Sequence, residues 1–216
     1  MTPNKEDYLK CVYELGLSDA KISNKRIAES MQVSAPAVTE MMKKLLADEL
    51  VIKDKAKGYL LTETGQYLVA SLYRKHRLIE VFLVNHLGYN VEQVHAEAEI
   101  LEHTVSTLFI DRLEKTLGFP KTCPHGGTIP APGELLIEEH QQTLDQLTQP
   151  GQLYLARVQD DYQLLEYLEQ HQLKVGDHLE LISYDSYART YTLKTKHNTL
   201  QVTEPIARKL YVEETH

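Results

Sequence analysis

A chain of 216 residues is long enough for one large domain or two to three small ones, each with a core of its own. With 42% hydrophobic and 25% charged residues and no run near the roughly 18–20 apolar residues that span a bilayer, the composition excludes disorder and membrane spanning. The formal net charge is −8, which taken alone argues against a nucleic-acid partner, but residues 1–75 hold 12 Lys/Arg against 10 Asp/Glu while residues 76–216 hold 11 against 21.

All ten histidines lie from His76 onward, so a nearly neutral N-terminal third precedes a part rich in carboxylates and imidazoles, the raw material of a cation site. The opening Met1-Thr2-Pro3-Asn4-Lys5-Glu6-Asp7 has neither the basic nor the apolar region of a signal peptide. A cytoplasmic location is expected, with Cys11 and Cys123 reduced.

In chain order, Tyr8, Leu9, Val12 and Leu15 predict a helix over 4–15 that Gly16 ends, with Cys11 packing on its apolar side. Ser23 or Asn24 caps a short helix over 24–30, and Ser34 caps another over 35–48 with Pro36 in its first turn. Two helices joined by a three-residue turn read as a helix-turn-helix. Leu50-Val51-Ile52 and Tyr59-Leu60-Leu61 flank a basic tip, a wing. Long helices are expected over 63–86 and 91–117, with enough apolar positions to pack a core and leave a face for another subunit. Residues 118–133 hold Gly or Pro at eight of sixteen positions, which breaks regular structure. A helix over 133–147 follows, and then short strands at 153–158, 178–182, 189–193 and 199–202 that suggest a small barrel.

The chemistry gathers on two helices. His95, Glu99, Glu102 and His103 fall at i, i+4, i+7 and i+8 of one predicted helix, and His76 and Glu80 are i and i+4 on the helix before it. Spacing alone leaves two readings open, a metal cluster or a solvated charged face. Cys123 and His125, in a Gly/Pro loop, are close enough in sequence to turn toward one ion. The other histidines, His86, His140, His171, His178, His197 and His216, share no ligand spacing.

Six motifs occur in order: Glu6-Asp7-Tyr8-Leu9; Val33-Ser34-Ala35-Pro36-Ala37-Val38-Thr39; Thr62-Glu63-Thr64-Gly65; His76-Arg77-Leu78-Ile79-Glu80; the run from His95 to His103; and Cys123-Pro124-His125-Gly126. In these the chain resembles the diphtheria-toxin-repressor (DtxR/MntR) family of metal-dependent transcriptional regulators, in its manganese-responsive, streptococcal-type branch, over nearly its whole length. The resemblance implies a mainly α fold with a small β part. It comprises a winged helix-turn-helix (1–63), a helical dimerisation and metal-binding domain (64–147, with the Pro/Gly stretch 118–133) and an SH3-like, FeoA-like barrel (148–216).

It also implies two Mn²⁺ sites per subunit. Site one comprises Asp7, Glu99, Glu102 and His103; iron-responsive members carry Met and Cys at the first two positions. Three carboxylates and an imidazole suit a hard ion. Taken alone, Asp7 also reads as a helix N-terminal acid favoured by the dipole. Site two comprises His76, Glu80, Cys123, His125 and Asp160, with neighbouring Asp161 as the alternative acid and His95 as a further possible ligand. Its thiolate makes that site more accommodating to Zn²⁺ or Fe²⁺.

Toward DNA, Ser34, Ala35, Pro36, Thr39, Glu40 and Lys43 span the recognition helix, and Lys25, Arg26, Lys43, Lys44, Lys53, Lys55 and Lys57 would contact phosphates. The expected function is Mn²⁺-dependent repression of manganese or metal-ion uptake genes by a homodimer on a palindromic operator, with neither membrane nor small-molecule substrate as partner. The alternatives are a DNA-binding dimer that senses Fe²⁺ or holds structural Zn²⁺, or a metallohydrolase, against which stands the lack of a nucleophile motif or phosphate-cradling loop.

Overall fold

A computed structural model describes residues 2–18 and 21–215, which form two compact units: residues 1–75 with 130–136, and residues 76–129 with 137–216. The first unit contains α1 (Pro3–Ser18), α2 (Asn24–Met31), α3 (Ala35–Ala47), β1 (Val51–Asp54), β2 (Gly58–Leu61) and the start of α4 (Glu63–Leu87). Hydroxyls set the helix starts, since Ser23 accepts a bond from the Arg26 N–H and Ser34 one from the Ala37 N–H, with Pro36 in the first turn of α3. Gln32, in the left-handed region at φ 54°, closes α2 and turns the chain into α3. Ile27, Val38, Met42 and Leu45 are fully buried with Tyr8, Leu9 and Val12 of α1. The opposite face of α3 is thereby left to solvent.

β1 and β2 pair from Val51↔Leu61 to Asp54↔Gly58, and Asp54 Oδ1 accepts the Ala56 and Lys57 N–H groups at 2.7 Å, fixing the tip. Gly58 is required there, because at φ +82° a Cβ would lie 1.9 Å from the Ile22 carbonyl oxygen. One boundary differs from the expectation: α1 continues through Gly16. A helix-interior glycine costs only about 1 kcal/mol, less than the apolar face of Val12 and Leu15 stands to gain by burial.

The second unit holds the end of α4, α5 (Val91–Glu102), α6 (Thr107–Thr116), β3 (Gly151–Val158), α7 (Tyr162–Gln170), β4 (His178–Asp185), β5 (Thr190–Lys194), β6 (Thr199–Thr203), α8 (Glu204–Ala207) and β7 (Leu210–Glu214). Leu78, Ile79, Val94, Ala98 and Ile110 form a core among α4, α5 and α6. The strands make an antiparallel sheet ordered β6-β5-β4-β3-β7, with Leu155, Leu181, Leu193, Val202 and Leu210 at full burial. The four expected strands are present, and α7, α8 and β7 are additions. No helix among the described residues is long and apolar enough to cross a membrane.

Two expectations fail here. The single helix over 91–117 is two helices, because the Thr104 hydroxyl bonds back to the Leu101 carbonyl at 3.0 Å and Ser106 caps α6 through the Phe109 N–H at 3.1 Å. His103 is consequently the C-cap of α5. The helix over 133–147 does not form, and only Leu144–Gln146 makes a 3-10 turn. Pro130, Pro132 and Gly133, the last at φ +78°, disfavour its start. Its hydrogen bonds go elsewhere: Val212 N–H donates to the Gln142 carbonyl and Thr143 bridges to Tyr211 on β7.

Candidate metal centre

His76 and Glu80 project one turn apart from α4 and are almost wholly buried, at 1% and 0% exposure. Burying ionisable groups so deeply needs compensation, which comes from four directions. α5 brings up His95, Glu99 and Glu102, and its cap brings His103. Asp160 follows the end of β3, and the loop from α6 supplies Cys123 and His125.

That loop is tightly determined. Cys123 N–H bonds to the Gly127 carbonyl and Gly126 N–H to the Cys123 carbonyl, both at 2.9 Å, inside a Thr122–Thr128 bridge. The His125 carbonyl accepts the Val158 N–H at 2.9 Å, anchoring the loop on β3. Gly126, at φ +80°, leaves no room for a side chain: a Cβ would fall 2.2 Å from the Ala156 carbonyl oxygen. Behind it the Arg77 guanidinium donates to the Thr128 carbonyl and, at 2.6 Å, to Glu138, whose other oxygen accepts the Thr128 N–H at 2.9 Å. Arg157 approaches the same carboxylate at 3.9 Å. Arg77 thus clamps the far side of the loop that carries Cys123 and His125. Glu138 was not singled out from the sequence, because its partner lies 61 residues away and no periodicity connects them.

Within the second unit, three overlapping groups of ligand atoms result, in each of which the atoms lie within 4.8 Å of one another: His76, Glu80, His95 and Asp160; Glu80, Cys123 and His125; and His76, Glu99 and Glu102. His76 Nε2 is 3.2 Å from Glu80 Oε1 and 3.5 Å from Asp160 Oδ2, while its Nδ1 is 2.5 Å from Glu102 Oε2 and 3.7 Å from Glu99 Oε2. His95 Nδ1 lies 2.9 Å from Asp160 Oδ2, and His125 Nδ1 3.2 Å from Glu80 Oε1. His103 Nε2 is 3.5 Å from Glu102 Oε1.

The electrostatics are those of carboxylates held apart by imidazoles. Burial and Asp160 would raise the Glu80 carboxyl, but His76 and His125 outweigh them and hold it well below the usual range. Burial likewise opposes ionisation of Asp160, and bonds from His76 and His95 override it in the same direction. Burial disfavours a charged His125, yet Glu80 and Cys123 raise its pKa to about 11. The Cys123 thiol is pushed up by burial and by Glu80. Even so, Glu80 Oε2 and Asp160 Oδ1 are buried oxygens with no hydrogen-bond partner. Buried carboxylate oxygens without a hydrogen bond, set among imidazoles and a thiol, fit a divalent cation with mixed nitrogen, oxygen and sulfur ligands.

Of the two adjacent acids, Asp160 faces this cluster. Asp161 caps α7 through the Leu164 N–H at 2.9 Å and pairs with Lys209 at 2.7 Å. Asp7 lies on α1 in the first unit, half-buried. Cys11 is buried among apolar residues. Of the residues expected to face DNA, Lys25, Arg26, Ser34, Ala35, Pro36, Glu40, Lys43, Lys44, Lys53, Lys55 and Lys57 are all exposed. Thr39 is half-buried and its hydroxyl is already used, donating to the Ala35 carbonyl at 3.0 Å and accepting from Asn24 at 2.9 Å.

A winged helix-turn-helix joined to a helical domain that buries a cluster of metal-ligating side chains defines a class: the metal-responsive DNA-binding regulators. Models of known families match in the same order. The iron-dependent repressor N-terminal DNA-binding domain matches residues 1–59, its metal-binding and dimerisation domain 62–131, and the FeoA domain 142–214. The chain is 59% identical to the manganese regulator SloR over the full length of both, with a TM-score of 0.90. It is 58% identical to ScaR solved with bound Zn²⁺, covering 98% of this chain and 100% of that one, with a TM-score of 0.93. To the diphtheria toxin repressor of Corynebacterium diphtheriae it is 27% identical over 97% of this chain and 96% of the relative. The chain belongs to the iron-dependent repressor family of metal-dependent transcriptional regulators, in which the manganese regulators are its near structural neighbours.

Proposed function

We propose that this protein is a Mn²⁺-activated transcriptional repressor that holds two ions per subunit and binds a palindromic operator near genes for manganese or metal-ion uptake. The single observation that carries the reading is the buried donor set around His76, with carboxylate oxygens left over, in a chain alike end to end to manganese regulators. ScaR, described as a manganese-activated repressor, is among them.

Site one is assigned to Glu99, Glu102 and His103, with Asp7 as the ligand that the resemblance to the family adds. Site two is assigned to His76, Glu80, Cys123, His125 and Asp160, with His95 beside them. The first set is oxygen-rich and suits a hard ion, whereas the thiol of the second makes it more accepting of Zn²⁺ or Fe²⁺. A bound divalent cation supplies charge neutralisation for the facing carboxylates and a tie between the elements that carry them.

The chain's own residues do the rest. Ser34, Ala35 and Pro36 expose a slim helix start to base edges, and Glu40 and Lys43 continue that surface. Lys53, Lys55 and Lys57 on the wing, with Lys25, Arg26 and Lys44, face phosphates. Ile100, Leu108 and Phe109, exposed at 65%, 66% and 48% on α5 and α6, form the apolar face offered to a second copy. The division into domains at 1–63, 64–147 and 148–216 follows the same reading.

The test is capture of sheared genomic DNA by the metal-free protein with and without micromolar Mn²⁺, followed by sequencing. Palindromic fragments retained with Mn²⁺ and released by chelator are expected. Metal-independent capture would overturn the sensor reading in favour of structural Zn²⁺.

A further inference from the structure

The two ligand sets are not separate, and they meet in one ring. His76 is fully buried and both its nitrogens are engaged: Nδ1 lies 2.5 Å from Glu102 Oε2, while Glu80 Oε1 at 3.2 Å, Asp160 Oδ2 at 3.5 Å and His95 Nδ1 at 3.2 Å converge on Nε2. The 2.5 Å contact fixes the ring against Glu102, and in the tautomer that places the hydrogen on Nδ1 the carboxylate accepts it. In that same tautomer, once the ring is neutral, Nε2 presents its lone pair beside the oxygens of Glu80 and Asp160, where a cation would draw on all three.

Carboxylate–histidine–metal triads of this kind fix the tautomer and orientation of a ligating imidazole. Here the orienting carboxylate belongs to the ligand set of the other ion, and its second oxygen faces His103 at 3.5 Å. From this geometry we infer that His76 is a positioning residue for site one as well as a ligand of site two. It holds the Glu102 carboxylate in place and links the occupancies of the two sites. The inference rests on the two-site reading above.

Linkage has a strict signature: each ion changes the other's affinity by the same factor, and couplings of this kind run from about 5-fold to 150-fold. Mn²⁺ uptake is measured in the full-length protein by calorimetry and by the electron-spin signal of free Mn²⁺. Cys123→Ser/His125→Ala disables site two while leaving every site-one ligand and His76 intact, and weakens site one at least about fivefold. Glu99→Ala/His103→Ala, the reciprocal variant, weakens site two by the same factor.

Two replacements divide the ring's roles. His76→Gln keeps a polar group toward Glu80 but none for Glu102, and lowers site-one affinity about 10-fold to 100-fold. His76→Asn keeps the donor to Glu102 and weakens site one no more than Cys123→Ser/His125→Ala does, with site two and the coupling both lost. Thermal melts in chelator establish that each variant is folded, and if a His76 variant is not, the two ligand-pair variants decide the question alone. Unchanged site-one affinity in Cys123→Ser/His125→Ala overturns the linkage, and equal loss in His76→Gln and His76→Asn overturns the positioning role. Two ions bound independently by wild type would sink the linkage alone, whereas one ion per chain would sink the two-site reading with it.

Discussion

Replacing Arg77 with methionine keeps the alkyl stem and removes the guanidinium that Glu138 faces. The carboxylate is then left nearly buried, at 11% side-chain exposure, where breaking an ion pair from one side costs about 3–5 kcal/mol. Part of that is recovered on the spot, because Arg157 stands 3.9 Å away and the Thr128 N–H still donates at 2.9 Å. A loss of about 2–3 kcal/mol is therefore expected, which for a protein of this size lowers Tm by about 5–10 °C. The measurement is thermal denaturation in chelator, so that metal linkage does not contribute. The double variant Arg77→Met/Glu138→Gln removes the stranded charge and recovers at least half of the loss. Because Arg77 also donates to the Thr128 carbonyl and packs on Gly127, the single variant loosens the Cys123–His125 loop and weakens metal uptake at site two. A single variant within about 1 kcal/mol of wild type, or a double variant no more stable than the single one, would refute the idea that a stranded Glu138 sets the cost.

The same pair gives a pH dependence: burial works against Glu138 ionisation, but Arg77, the Thr128 N–H and Arg157 hold its carboxyl below the ordinary range. Its contribution is complete above the unfolded value of about 4.3 and is lost as pH falls through the lower folded value, so the Tm advantage of wild type over Glu138→Gln shrinks below about pH 4. Gly126→Ala must leave a left-handed conformation and clear the Ala156 carbonyl; about 2 kcal/mol or more of stability and most of site-two metal uptake should go with it, as denaturant melts and calorimetry would read. Asp160→Ala and Asp161→Ala separate two adjacent acids: the first lowers metal uptake, while the second costs about 1 kcal/mol through the α7 cap and leaves uptake near wild type. Asp7→Ala and Glu99→Ala should abolish Mn²⁺-dependent retention of operator DNA in a fluorescence-anisotropy titration while leaving the metal-free protein folded; unchanged affinity at saturating Mn²⁺ would contradict their assignment to site one.

What could be read from sequence was local. Ser23, Ser34 and Pro36 announced the helix-turn-helix because caps act within three residues, and the wing showed in its two apolar runs. The break after Glu102 escaped because Thr104 and Ser106 act by side-chain bonds to backbone, which apolar periodicity does not register. The extended stretch after Gly133 escaped because its hydrogen-bond partners are on β7, far along the chain. In the candidate site, i and i+4 spacing foretold that His76 and Glu80 share a face. That the His76 ring touches Glu102, 26 residues on, is a fact of packing between helices.

Asp160 lies in the part of the chain that matches the FeoA model, while His76, Glu80, Cys123 and His125 lie in the part that matches the metal-binding domain. On the proposed assignment, the FeoA-like part of the chain contributes the softer centre's second carboxylate. Ending translation or cutting the chain ahead of residue 160 would leave a thiol, imidazoles and a single acid, a set whose preference moves from manganese toward zinc. Domain loss in such a regulator would then be a change of diet as well as of shape.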